Sequence, residues 1–359
     1  MPTEIDAQAS PAIPSLDVQG TARALKPQRI PALDFTKGAL VLVMVLYHWM
    51  NYFLRLSWTY YKYLHFLTPS FIFIAGFMIS NVYLSKYAAT DPRLSKRLLT
   101  RGLKLLAVFF VLNLARTLVV PIFGTGATVR NAVDFRNAFA VFVSGNVPVA
   151  GGKLVAFPIL VPISYLLMLS GALMFPYRFY KYTFHVVCVL LLLAVAIRGL
   201  TGAPSPNLEC ITIGMMGVLT GFAPISAISD FIRHPYALAF AYFCYTIAIT
   251  VWNIPFPLLI VGVYLSVMVI YLVGASGSKF GSIRSEFILL GKYSLFGYIS
   301  QIAILQLLGA GFRRANFGLA ALAASFFVAI ALTIVSVEVV DRARARMPGI
   351  DSLYKAVFA

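Results

Sequence analysis

The 359-residue chain is 60% hydrophobic and 11% charged, with a mean hydropathy of +0.86, which excludes a soluble globular domain and leaves a polytopic membrane protein. Its net charge of +17 is not a nucleic-acid signal, because the basic residues lie between hydrophobic stretches and form no separate domain; it marks topology and contact with membrane lipid. The apolar stretches are too long and uniform for barrel strands, which alternate at every second residue, so the fold class is all-α.

Residues 1–28 are rich in Pro, Ala, Ser and Gln and lack an apolar run. They are expected to form a disordered cytosolic tail and not a signal peptide. A membrane domain follows over 29–341, and 342–359 reads as a basic cytosolic tail. Ten spans are predicted around a central pore, at 36–54, 65–85, 101–121, 155–175, 183–199, 208–224, 236–252, 256–274, 286–309 and 317–340. An even number puts both termini on one side. Placing them in the cytosol also puts most of the 29 Lys and Arg residues there, as the positive-inside rule requires.

The first span carries His48 well inside an apolar helix, about 18 Å from its start at 1.5 Å per residue. At 100° per residue, Lys37 and Asp34 fall within about 40° of the His48 direction, on the face that also holds Val41, Met44, Asn51, Tyr52 and Arg55. Ionisable residues inside spans usually face a cavity or the bundle interior, and an imidazole suits a general base at neutral pH. The alternative is a packing histidine bonded to a neighbouring helix.

The third span opens in a basic run where Arg97, Arg101 and Lys104 stand at i, i+4 and i+7, a stripe of cations on one face. That stripe is either an ordinary positive-inside anchor or a phosphate clamp. The loop at 122–154, with Arg130, Asn131, Asp134 and Arg136, is long enough to be a lid or acceptor site, or else a solvated surface loop. Within it, 138–149 is apolar and suited to a re-entrant or interfacial piece. Further polar residues inside the spans are Ser70, Ser80, Asn113, Arg116, Glu209, Ser294, Tyr298, Gln301 and Gln306; each can face a cavity or bridge two helices. The three cysteines show no CxxC and the four histidines are scattered, so neither a disulfide framework nor a metal site is expected.

An ordered set of motifs runs through these elements. Arg29-x-x-x-Leu33-Asp34-x-x-Lys37-Gly38, His48 ten residues after the glycine, and Pro69-Ser70-Phe71-Ile72-Phe73-Ile74-Ala75-Gly76 on the next span open the chain. Arg101-Gly102-Leu103-Lys104-Leu105 and, late in the chain, Leu290-Gly291-Lys292-Tyr293-Ser294 through Tyr298 and Gln301 follow. Together they resemble the transmembrane acyltransferase superfamily: acyltransferase-3 proteins, glucan succinyltransferases and the heparan-α-glucosaminide N-acetyltransferase type. Lys37 stands where many members have Arg, and Gln301 where acyltransferase-3 proteins often have His.

The resemblance implies a bundle around a pore in the bacterial cytoplasmic (inner) membrane, with acyl-CoA entering from the cytosol as co-substrate. A carbohydrate or lipid-linked acceptor would come from the opposite side, and no metal is implied. His48 would be the catalytic residue, as general base on an acceptor hydroxyl or amine or through an acyl-histidine. Because a neutral imidazole is required, activity is expected to fall at acid pH. Arg97, Arg101, Lys104 and Lys37 would hold the nucleotide, and Asn113, Ser294, Tyr298 or Gln301 would steady the oxyanion. Asp34, fourteen residues from His48, would fix the cytosolic end of the helix with Arg29 or Lys37. The competing reading is a transporter or flippase for a polar lipid or sugar. Prolines at 121, 158, 162, 255 and 257 break the spans as carriers require, but no repeat relates two halves.

Overall fold

A computed structural model describes residues 30–54, 58–84, 91–123, 141–143, 145, 157–224, 234–252, 254–276, 281–315 and 318–358. The described residues are helical apart from turns, and no strand occurs among them. The tail at 1–28, Arg29, Arg55 and most of the 122–154 loop lie outside them, as does the side chain of Arg116. The long helices are α1 (Pro31–Trp49), α2 (Leu67–Met78), α3 (Pro92–Phe123), α4 (Leu160–Tyr177), α5 (Thr183–Leu200) and α6 (Pro206–Thr220). They continue with α7 (Pro235–Val251), α8 (Phe256–Ala275), α9 (Gly281–Lys292), α10 (Ser294–Ala315), α11 (Leu319–Arg346) and α12 (Pro348–Phe358).

Local chemistry sets the helix starts. Proline occupies the first turn of α1, α6 and α7, where its missing N–H is no loss. Ser205 caps α6 by accepting from the Leu208 N–H, and Asp91 accepts from the Arg93 N–H at the start of α3. Past their ordinary helical runs, α1 and α2 widen into π-helical turns over Met50–Leu54 and Ile79–Leu84.

Among the described residues, eight helices, counted with their extensions, are long and apolar enough to cross a membrane. Two of the ten predicted spans fall short: α6 has 15 residues and α7 has 17. At 1.5 Å per residue, 15 residues reach only about 22 Å against a hydrocarbon core of about 30 Å. The predicted 286–309 span is divided at Tyr293, with α9 before it and α10 after. Residues 342–358, read as a basic tail, are helical: α11 runs on to Arg346, and α12 folds back from an extended Met347.

α1 lies at the middle of the bundle, with Leu40, Val41 and Val45 wholly buried. It packs on α8, α9 and α10, and α9 comes so near that a Cβ on Gly38 would strike the Phe287 carbonyl and one on Gly291 would strike the Asp34 carbonyl. α2 and α6 meet as closely, through Gly76 against Gly214 and Gly217 against Phe73, and Ser80 Oγ donates to the Val218 carbonyl at 2.6 Å. The rows Leu103, Phe110, Val111 and Leu114 on α3, and Val186, Val189, Leu190, Leu193 and Ile197 on α5, are exposed apolar faces suited to lipid. Part of the 122–154 loop is tied down: Val141 is fully buried and its carbonyl accepts from Asn207 Nδ2 at 2.6 Å, while Tyr165 donates to the Phe142 carbonyl.

Candidate functional site

Besides a small apolar cavity of about 50 Å³ beside Leu33, three larger cavities touch α1. The first, of about 260 Å³, opens at the end where α1 begins and is lined by Lys37, Arg101, Lys104 and Lys292, with Tyr83 and Tyr354 beside them. Two of its four cations are already matched by carboxylates. Lys37 Nζ lies 2.6 Å from Asp34, and Lys292 Nζ lies 2.7 Å from Asp341. Arg101 and Lys104 have no acidic partner among the described residues. Arg101 also stacks on the Tyr83 ring at 5.4 Å, and Arg97 reaches the same ring at 5.8 Å from the exposed side, outside the cavity lining.

α12 forms part of the wall of this mouth. Arg344, at the end of α11, holds Asp351 through two nitrogens at 2.9 and 2.6 Å and lies 4.1 Å over the Tyr354 ring. Its third nitrogen donates to Tyr293 Oη, which itself donates to Asp341 at 2.5 Å. Hydrogen bonds from Lys355 and Arg344 hold the Asp351 carboxyl below the usual range, and burial pushes the Tyr354 phenol up to about 12. Tyr354 and Phe358 are thus presented to the cavity by a chain of charged contacts running from Lys292 to Asp351.

The second cavity, about 170 Å³, abuts the first: Lys37, Ala75, Met78, Leu105, Ser294 and Leu295 line both. It is apolar apart from Lys37 and Ser294, and it ends on Tyr298. The Tyr298 ring is buried, with its centroid 6.1 Å from that of His48. The half-buried His48 ring also meets Tyr47 edge-on at 5.2 Å. Tyr47 in turn lines the third cavity, about 250 Å³, together with Tyr61, His65, Thr68, Glu209 and Cys210. His48 therefore lines none of the three itself; its two aromatic neighbours do. No one of these cavities runs the length of the bundle, so the arrangement is a series of chambers with a ring cluster between the second and third.

The predicted site residues are partly assembled. Lys37, Arg101 and Lys104 meet at the mouth, and Ser294 and Tyr298 lie on the way to His48. Asp34 is at the mouth, paired with Lys37 as expected. Gln301, one turn beyond Tyr298 on α10, is completely buried, and neither end of its amide finds a hydrogen-bond partner among the described residues. Asn113 lies on none of these cavities, and its amide donates to the Phe109 carbonyl one turn back. Glu209 was named from sequence only as one of many polar residues within the spans, and Lys292, Tyr354 and His65 were given no role there. Lys292 stands inside the Gly-Lys-Tyr-Ser motif, so that signal was available. The other three become neighbours of the site only through tertiary packing.

The fold and these chambers define a protein whose described residues are all-helical, with several helices fit to cross a membrane, a cation-lined opening at one end and a half-buried histidine in ring contact with residues of two inner cavities. Protein-family models, curated proteins and solved structures give no match to the chain.

Proposed function

We propose that the protein is a membrane-embedded, acyl-CoA-dependent acyltransferase, as its motifs imply. It moves an acetyl or succinyl group to a hydroxyl or amine of a carbohydrate or lipid-linked acceptor. One observation supports this reading: the His48 imidazole is in ring contact both with Tyr298, which lines the chamber next to the cationic mouth, and with Tyr47, which lines the chamber at the other end. The cation-rich mouth is the cytosolic one by the positive-inside rule.

In this mechanism the nucleotide phosphates rest on Arg101 and Lys104, with Lys37 and Lys292 at the rim. The acyl-pantetheine arm extends through the apolar second cavity, and a rotation of Tyr298 lets the thioester carbonyl reach the imidazole. His48 takes the proton of the acceptor O–H or N–H as that atom bonds to the carbonyl carbon. The tetrahedral oxyanion then collapses, the C–S bond breaks, and the imidazolium returns its proton to the departing CoA sulfur. Gln301, with its amide N–H unspent, and Tyr298 Oη are the donors available to the oxyanion.

The test is thiol release by purified protein given acetyl-CoA or succinyl-CoA with mixed carbohydrate and lipid-linked acceptors. Acceptor-dependent release by wild type and its loss in His48→Ala are expected. No release with any donor, or equal release by the variant, overturns the proposal. Acceptor flux across vesicles without thioester consumption would establish the transporter reading instead.

A further inference from the structure

The two ends of the bundle carry opposite chemistry. Four Lys and Arg side chains, Lys37 among them, line the mouth, whereas no lysine or arginine among the described residues lines the third cavity. That cavity holds one carboxylate, Glu209, together with the imidazole of His65, the hydroxyl of Thr68 and the phenols of Tyr47 and Tyr61. The two tyrosine rings meet edge to face at 5.5 Å, so they offer an apolar corner rimmed by hydroxyls. Exposed Pro206 forms part of the lining, which brings the cavity to the surface. At about 250 Å³ it lies below the ~300–1,000 Å³ of a site for a drug-sized ligand, so it suits a single ring and not an oligomer.

We propose that this cavity binds one sugar-sized polyhydroxyl or amino-bearing unit that is neutral or cationic, and that Glu209 excludes anionic units. Its designation as the acceptor site rests on the acyltransferase reading; its charge selectivity does not. Hydroxyls and ammonium groups donate to a carboxylate, while a uronate or phosphate placed beside Glu209 meets a like charge with no lysine or arginine among the described lining residues to offset it. Tyr47, adjacent in sequence to His48, would hold the bound unit within reach of the imidazole.

Cys210 lines the same cavity next to Glu209 and reports on it directly. Purified wild-type protein, without any acyl donor, would be treated with a cationic or an anionic methanethiosulfonate of matched size, and Cys210 labelling followed by peptide mass spectrometry. One unit charge a few ångströms away predicts faster labelling by the cationic reagent, by roughly tenfold, and a ratio near one in Glu209→Gln. Glucosamine and methyl glucoside should slow labelling, whereas glucuronate should not. Absent labelling, a ratio unaffected by Glu209→Gln, or equal protection by glucuronate overturns the proposal. A protein that shows this selectivity and yet releases no thiol from acyl-CoA keeps the binding site and loses the transferase assignment.

Discussion

The division of labour among the four cations at the mouth makes a sharp prediction. Lys37 and Lys292 already have carboxylates at 2.6 and 2.7 Å, whereas Arg101 and Lys104 have none among the described residues. A polyanionic donor therefore gains its full charge-assisted contacts from Arg101 and Lys104, and competes with Asp34 and Asp341 for the others. A hydrogen bond to a charged group contributes about 1.5–3 kcal/mol. Both side chains are part-exposed, so solvent screening favours the lower end, near 1.5 kcal/mol or roughly tenfold in binding. Arg101→Ala and Lys104→Ala should each raise the apparent KM for acyl-CoA by roughly tenfold, and the pair together by roughly a hundredfold if the two act independently. Lys37→Ala and Lys292→Ala should cost less. Arg97→Ala should cost least, since Arg97 lies outside the lining. Initial rates of thiol release against donor concentration, at two salt concentrations, measure all five. An Arg97 effect as large as that of Arg101, or an unchanged KM in Arg101→Ala/Lys104→Ala, would refute this ranking.

Three further outcomes follow from the packing and charge. Gly76→Ala places a methyl against the Gly214 carbonyl, a rigid backbone neighbour, and overpacking of this kind costs about 1–3 kcal/mol; thermal unfolding in detergent should show a lowered midpoint. Gly309→Ala meets nothing within 4 Å and removes a helix-weakening glycine, so the same measurement should show no loss. Asp351 is the pH-sensitive contact of α12. Its carboxyl is held low in the folded state, so its contribution is complete above the ordinary aspartate pKa of about 3.9 and is lost as pH falls through the depressed folded value. An environment-sensitive dye on Leu353→Cys should therefore report α12 docked from neutral pH down to that range and released below it, with Asp351→Asn removing the transition.

The helices were legible from hydropathy because long apolar runs dominate the chain. Two of the expected spans are matched only by helices shorter than a span, α6 and α7, which are apolar without being long, and α6 packs on α2 through close glycine contacts. The motif glycines were visible, but not that two of them belong to one contact: Gly38 and Gly291, some 250 residues apart, let α1 and α9 touch backbone to backbone. This contact brings Lys292 and Ser294 to Lys37, and with them Tyr298 to His48. Helical spacing grouped Arg97 with Arg101 and Lys104, yet the helix face that meets the cavity is narrower than the stripe. The C-terminal segment was judged by its charge alone; its Tyr354 and Phe358 matter because Arg344 and Asp351 fold α12 back over the mouth. Glu209 and His65 sit on different helical pieces, and nothing in their sequence spacing announces a shared cavity.

The most direct measurement separates donor from acceptor across a sealed bilayer. Protein is reconstituted in one orientation, radiolabelled acetyl-CoA or succinyl-CoA is supplied only on the side of Arg101 and Lys104, and acceptor only on the side of Glu209. Label should appear on the acceptor with matching thiol release on the donor side, and both should vanish in His48→Ala. Transfer that requires donor and acceptor on the same side, or that persists in His48→Ala, would contradict the placement of the imidazole between two supplies.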